Sequence, residues 1–310
     1  LAAVAGNSEH TAVGYQALLL CDGNDGNTAV GYRAGYDLTS GAANVFLGAE
    51  SGANVVGGTD NIMIGKGAGS TTTDVDKSVL IGRSAGQSGD ITSAADGTVA
   101  IGYQALAALT EGIGNVAIGA NALDAAATSD YNTCVGASAL SAVNGNGDGA
   151  NTVMGYAAGE KVTNGTHNTL MGYATGNHGE EITTGDYCTI IGSLADASAG
   201  DAQNQTAIGY DCTAQADNSV TLGNASVTAV YMAQDKGATV WLDMVRSTTM
   251  PAFSVKPSEA QTDIAVGGAQ DVAFGAENFD QAGNFASSVF QAPVDGMYNL
   301  SVFLDVKTIT

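Results

Sequence analysis

Several short stretches of this 310-residue chain carry the residue types that chemistry requires. Gly82-Arg83-Ser84-Ala85-Gly86 has the spacing of a nucleophile elbow, in which a strained strand-to-helix turn exposes a serine. Gly145, Gly147 and Ala150 have the spacing of a dinucleotide-binding loop, which requires a helix to follow so that its N-terminus can take the pyrophosphate. Cys21-Asp22-Gly23-Asn24-Asp25-Gly26 and Asn144-Gly145-Asn146-Gly147-Asp148-Gly149 are rich in the oxygen donors that calcium takes. Neither completes a calcium loop: the second opens on Asn and has Gly155 where the bidentate Glu should fall. His10, His167 and His178 stand without partners at the spacing of a metal site or a triad.

Position within a longer pattern explains all of these matches. Thirteen glycines recur along the chain: Gly14, Gly31, Gly48, Gly65, Gly82, Gly102, Gly119, Gly136, Gly155, Gly172, Gly192, Gly209 and Gly223. Eight of their twelve intervals are 17 residues, and the others are 20, 19, 20 and 14. A fixed period dictates architecture before any local motif does. Insertions of two or three residues that leave the motif intact belong in turns, so the unit is one coil of a solenoid. The serine of the elbow then lies merely in coil 5, in register with Gly31-Tyr32-Arg33-Ala34-Gly35 of coil 2 and Gly102-Tyr103-Gln104-Ala105-Leu106 of coil 6, which have no serine. After the dinucleotide-like run comes a new coil rather than a helical pattern. No catalytic residue, metal ligand or cofactor site is assigned.

Three columns precede each glycine. Three residues before it stand Thr11, Thr28, Val45, Ile62, Val79, Val99, Val116, Thr133, Thr152, Thr169, Thr189, Thr206 and Val220, all β-branched. One residue before it stand Val13, Val30, Leu47, Ile64, Ile81, Ile101, Ile118, Val135, Met154, Met171, Ile191, Ile208 and Leu222. Strand side chains alternate with period two, so these two columns share a face, which is expected to fill the coil. Between them, on the opposite face, lie Ala12, Ala29, Phe46, Met63, Leu80, Ala100, Ala117, Cys134, Val153, Leu170, Ile190, Ala207 and Thr221. Only Thr221 is polar, and strands apolar on both faces are covered on both faces. The middle column from Ala12 to Ala207 is therefore expected to pack against neighbouring chains, making the roll an obligate oligomer.

The corner glycine has alanine three places on in nine coils, as befits close backbone approach. Asn stands four residues before it in seven coils, which suits a turn residue tolerant of unusual backbone angles. Tyr follows it in six, read as a structural ladder of rings on a half-exposed edge.

These units resemble the heads of trimeric autotransporter adhesins, with their repeating Asn/Ser-Thr/Val-x-Ile/Val-Gly wording. Asn218-Ser219-Val220-Thr221-Leu222-Gly223-Asn224-Ala225-Ser226 is the nearest match, with that family's 14-residue spacing, and longer coils of similar wording occur in phage tail-fibre proteins. The resemblance covers about 220 of the 310 residues and implies an all-β fold: a left-handed parallel β-roll of three chains, with a role in attachment. The 17-residue period is a departure that bears on coil shape.

Composition sets further bounds. With 45% hydrophobic residues the chain can fold, and 43 glycines against 3 prolines, without a Gly-every-third-residue pattern, fit a turn-dense solenoid rather than collagen. The net charge of −22 would be −66 for three chains. So acidic a surface repels phosphate backbones and anionic lipid, which argues against nucleic-acid or membrane-surface partners and favours solubility. No run of 18 apolar residues exists to span a membrane as a helix. Leu1 opens without a charged and apolar leader, so a signal peptide is expected to be absent or already removed. Cys21, Cys134, Cys188 and Cys212 fall in a turn, a strand interior, a strand start and a corner, and are expected to be four separate packed thiols.

In chain order, residues 1–226 are expected to form the roll and 227–250 a neck, with β-rich runs at Val227 to Met232 and Ala238 to Val245 around a turn at Asp235-Lys236-Gly237. Trp241 in the neck is expected to be packed. From Pro251 on, Pro251-Ala252-Phe253-Ser254, Val272-Ala273-Phe274, Asn284-Phe285 and Phe290-Gln291-Ala292-Pro293-Val294-Asp295-Gly296-Met297-Tyr298 are similar to the first half of a complement-q-type globular head. That resemblance implies that residues 251–310 begin a trimeric jelly roll and that the sequence is part of a longer fibre. Alternation at Tyr298, Leu300, Val302, Leu304 and Val306 separately reads as a strand with one buried face. Together these features lead to the expectation of a non-enzymatic homotrimeric fibre on a virion surface, phage tail or other. It would contact other virion proteins and a host glycan or protein receptor through the head. The alternatives are a bacterial trimeric surface adhesin and a polysaccharide-degrading spike, the last requiring paired carboxylates in a groove.

Overall fold

The computed structural model describes residues 9–22, 26–87, 89–145 and 147–230, and the backbone of 253–256, 276–280, 285–286 and 289–290. Two compact units meet in sequence at Val230 and Tyr231.

The first unit is one parallel ladder of thirteen three-residue strands, each the run of columns just described: Thr11–Val13, Thr28–Val30, Val45–Leu47, Ile62–Ile64, Val79–Ile81, Val99–Ile101, Val116–Ile118, Thr133–Val135, Thr152–Met154, Thr169–Met171, Thr189–Ile191, Thr206–Ile208 and Val220–Leu222. Register follows the columns, so that Ala12 pairs with Ala29, Phe46 with Met63 and Leu170 with Ile190. Numbering the coils 1 to 13 by their glycines, every one stacks on the next. The insertions sit in turns, as the sequence pattern requires: the 20-residue step from coil 5 to coil 6 holds a 3-10 turn at Ser93–Ala95, and the 19-residue step from coil 8 to coil 9 holds Gly147–Asp148, paired in parallel with Ser129–Asp130.

Sharp bends of fixed handedness make a strand this short possible. Twelve of the corner glycines, Gly14 to Gly209, have φ between +129° and +146°. In the eleven from Gly14 to Gly192, a Cβ would fall inside contact distance of the next coil's glycine carbonyl, so the ladder closes only without side chains there. Left-handed residues recur five before the glycine, from Gly26 (φ 81°) and Ala43 (φ 56°) to Asn218 (φ 57°), and two after it, as at Gln16, Arg33 and Ser84. Inter-coil amide bonds hold these angles, for example Arg33 to the Tyr15 carbonyl at 2.9 Å and Asn121 to the Tyr103 carbonyl at 2.8 Å.

The two faces of the strands are the reverse of the sequence expectation. Ala29, Phe46, Met63, Leu80, Ala100, Ala117, Cys134, Val153, Leu170, Ile190 and Ala207 are buried in the chain's own core, and Ala12 packs against it from the first coil. The two flanking columns point outward instead. A three-residue strand between two bends offers a narrow coil one inward side chain, and the central residue is the one that points in. The rest of the lumen is filled from the turns, by Leu38, Val55, Leu109, Val143 and Val162 seven residues past their glycines, and by the buried alanines three past them, such as Ala34, Ala85 and Ala122.

Asparagine also plays a different part from the one expected. The seven asparagines four residues before the glycines are buried and lack left-handed backbone, which belongs to the residue before each of them. Their side chains form a hydrogen-bonded column inside the wall: the Asn44 amide N–H donates to Asn27 Oδ1 at 2.9 Å, Asn61 to Asn44 at 3.0 Å, Asn132 to Asn115 at 2.9 Å and Asn168 to Asn151 at 2.9 Å. Each Nδ2 reaches a turn carbonyl, as from Asn44 to Gly58 at 2.7 Å, so the buried amides are satisfied on both sides. Where asparagine is missing, Ser78 and Cys188 end the run by donating their backbone amides to Asn61 and Asn168.

In the second unit, Phe253–Lys256 pairs antiparallel with Ala276–Asp280 across a register shift at Ser254 and Val255, and Phe285–Ala286 pairs antiparallel with Val289–Phe290. Of the expected neck runs, the part of Val227 to Met232 that is described, 227–230, forms no strand and belongs to the first unit; its remaining residues, the run Ala238 to Val245 with Trp241, and the expected strand at 298–306 lie outside the described residues.

Candidate functional site

The feature of the described residues with the greatest capacity for interaction is the outward face of the thirteen-stranded ladder. The columns that flank the buried one lie side by side on it, one β-branched and one aliphatic, half-buried or exposed within the chain. Val13 is 58% exposed, Leu47 44%, Met154 47% and Ile208 41%, far from core values. Beside this strip the tyrosines that follow the glycines stand out from the surface, 46% to 67% exposed. They stack only where neighbouring coils both carry one: Tyr15 on Tyr32 at 5.6 Å between centroids, and Tyr156 on Tyr173 at 5.5 Å. At thirteen strands spaced about 4.8 Å and three residues of about 3.3 Å each, the strip is roughly 60 Å long and 10 Å wide.

Placing the sequence-level chemical matches on this frame is direct. Ser84 has φ 61°, and so do its counterparts, with Gln16 at 57°, Arg33 at 53° and Gln104 at 55°. The bend that resembles an elbow is the bend of coils 1–12. In the run from Asn144 to Ala150, the Asn144 and Gly145 amides donate to the Thr163 carbonyl, and those of Gly149 and Ala150 to the Asp130 carbonyl. Those amides are committed to the ladder rather than open to a phosphate. A small cavity beside this turn is lined by Ser129, Val143, Asp148, Thr163, Asn164 and Thr166. Among the described residues, no group of three or more His, Cys, Asp or Glu is placed to hold a metal.

Cys21, Cys134, Cys188 and Cys212 are free, buried and separate. Desolvation raises the Cys21, Cys134 and Cys188 thiols, which keeps them protonated and unreactive.

One column escaped the sequence reading. Asp76, Asp96, Asp130, Asp186 and Asp217 all stand six residues before a glycine, and each carboxylate accepts the backbone amide of the equivalent residue one coil earlier: Thr59 to Asp76 at 2.6 Å, Asp76 to Asp96 at 2.8 Å, Ile113 to Asp130 at 2.7 Å, Thr166 to Asp186 at 2.7 Å and Gln203 to Asp217 at 2.8 Å. The Gln203 amide and the Gln205 side chain hold Asp217 below the ordinary carboxylate range. The signal was present as a fixed offset, which the overall acidic balance, read only for solubility, does not reveal.

Asp196 is a carboxylate of another kind. It lies buried where coils 1–10 have Leu or Gly, with Oδ2 accepting the His178 amide at 3.0 Å and Oδ1 accepting the Ala197 amide at 2.9 Å. Burial pushes its pKa up to about 6 against those two donors. The His178 ring lies 3.7 Å from Asp211, both half-exposed.

Set against protein-family models, curated proteins and solved structures, the chain matches none.

Proposed function

We propose that this chain is the shaft of a homotrimeric attachment fibre on a virion surface, a rigid spacer that holds receptor-binding heads clear of the particle. The observation that carries the reading is the outward strip: a β-branched column beside an aliphatic one, roughly 60 Å long and ruled at the strand spacing of about 4.8 Å. A surface with that period is matched along its length by another surface of the same period, and a second copy of the chain running in parallel supplies it. Three copies around an axis give each protomer two such contacts and close the set. The face proposed for contact is therefore the flanking columns, Thr11 to Val220 and Val13 to Leu222, and not the column from Ala12 to Ala207.

Three heads on one shaft bind a host surface by avidity, so that weak glycan or protein contacts add up to firm attachment. The acidic balance of −22 per chain keeps such fibres apart sideways. The five ladder carboxylates accept backbone amides, which supports a scaffold over a spike that degrades polysaccharide.

A bacterial surface adhesin is the second reading, favoured by the last coil, whose strand Val220–Leu222 follows Thr206–Ile208 at the 14-residue step that resembles adhesin heads. Immunogold labelling with antibody raised against the roll separates the two. Label on projections of free particles supports the virion fibre, whereas label confined to the cell envelope contradicts it in favour of the adhesin.

A further inference from the structure

We propose that the outward strip is divided along its length into a dry clamp over coils 3–7, which holds the copies together, and a hydrated seam over coils 8–12, where water remains between them. The inference rests on the reading of the strip as a contact between copies, and adds which part of it does the holding.

The residues of the two lengths differ in kind. Over coils 3–7 the strip is Val45, Ile62, Val79, Val99 and Val116 beside Leu47, Ile64, Ile81, Ile101 and Ile118, ten aliphatic side chains of which nine are β-branched. Branched side chains have few rotamers to lose on burial and present a stiff apolar surface. Over coils 8–12 the β-branched column becomes Thr133, Thr152, Thr169, Thr189 and Thr206, stacked in one parallel register. The neighbouring column there includes Met154 and Met171, unbranched and deformable.

None of these five hydroxyls has a hydrogen-bond partner among the described residues, and all five side chains are half-buried or exposed within the chain. A hydroxyl taken out of water without a partner is costly, so dry contact over coils 8–12 would leave five such groups per chain. Water between the copies satisfies them and fills the space in tiers at the strand spacing. Coils 1 and 2, with Thr11 and Thr28, have the same wording as the seam, so the apolar length is flanked on both sides.

The test exchanges the two chemistries at constant shape in the full chain. V79T/V99T gives coils 5 and 6 the wording of the seam, and T169V/T189V gives coils 10 and 11 that of the clamp. Each is followed by the concentration at which the assembly dissociates on dilution, with circular dichroism confirming that the coils stay folded. The expected result is that V79T/V99T raises this concentration more than tenfold while T169V/T189V lowers it. Loosening by T169V/T189V would mean that the threonines bond directly across a dry contact, which overturns the hydrated seam. An associated protein that neither pair affects would overturn the division while leaving the association itself intact. A wild-type chain that is monomeric at every concentration would instead remove the reading on which the proposal rests.

Discussion

In coils 3–5 the inward strand residue is Phe46, Met63 or Leu80, and the residue four past the corner glycine is Gly52, Gly69 or Gly86; in coils 6–8 the inward residue is Ala100, Ala117 or Cys134, and the later one is Leu106, Leu123 or Leu140. The two sets of coils fill the same lumen from opposite walls. A Cβ at Gly52 would meet the Phe46 ring, and one at Gly69 the Met63 side chain. Leu123 (φ 52°) and Leu140 (φ 54°) hold the same left-handed backbone as the glycines, at some cost in strain, because their side chains are needed inside. Coil 1, with Ala12 and Leu18, follows the second pattern, and coils 9 and 10, with Val153 and Gly159 and with Leu170 and Gly176, follow the first. Coil 2, with Ala29 and Gly35, has a large side chain at neither position, and the Phe46 and Leu18 side chains of the coils on either side reach the space at Gly35. Core volume is thus shared between adjacent coils, and the strand column alone does not reveal it.

The most damaging change should be one that both sets share. Gly119→Ala places a Cβ against the Gly136 carbonyl in a backbone with φ +143°, and is expected to cost more than about 4 kcal/mol in denaturant unfolding, beyond the range of strain alone. Phe46→Ala should cost about 3–5 kcal/mol by the cavity it leaves. Adding Gly52→Leu should recover part of that loss, because the double variant has the wording of coil 7; a double variant no more stable than the single one would break the reciprocity.

Coils 11 and 12 also follow neither pattern, coil 12 with Ala207 and Thr213 and coil 11 with Ile190 on the strand and Asp196 at the later position. The folded-state pKa of Asp196, about 6, lies above the ordinary 3.8, so folding favours the protonated form. Its contribution is full below about pH 4 and is lost as pH rises through about 6, a change of at most about 3 kcal/mol. Unfolding of the wild type should therefore grow easier between pH 4 and 7, and Asp196→Asn should flatten that slope. An unchanged slope in the variant would place the titration elsewhere. Smaller again is the effect expected for Asn132→Ala, which leaves the Asn151 amide without its side-chain acceptor, at about 1–3 kcal/mol by thermal unfolding.

The period, the position of every strand of the ladder, the corner glycines and the placing of the insertions in turns were all legible, because a repeat reports its own register thirteen times over. Which face turned inward was not. All three columns are suited to burial, so composition does not choose between the faces, and the lumen of a narrow coil takes even small side chains such as Ala29 and Ala117 because turn residues occupy the remaining space. The asparagine column was visible, but its role in bonding coil to coil depends on pairings 17 to 20 residues apart that no local rule supplies. The carboxylate column Asp76 to Asp217 and the exchange of Leu for Gly past the corner were written in the sequence too, as offsets whose meaning appears only once the stack fixes which residues face each other.

The outward strip carries the account, and the mass of the chain in solution tests it most directly. Light scattering over a wide concentration range is expected to give an assembly of about 92 kDa, three times 30.8 kDa, that dissociates only on strong dilution. A soluble, folded species of 30.8 kDa at every concentration would contradict the claim that this face joins copies of the chain.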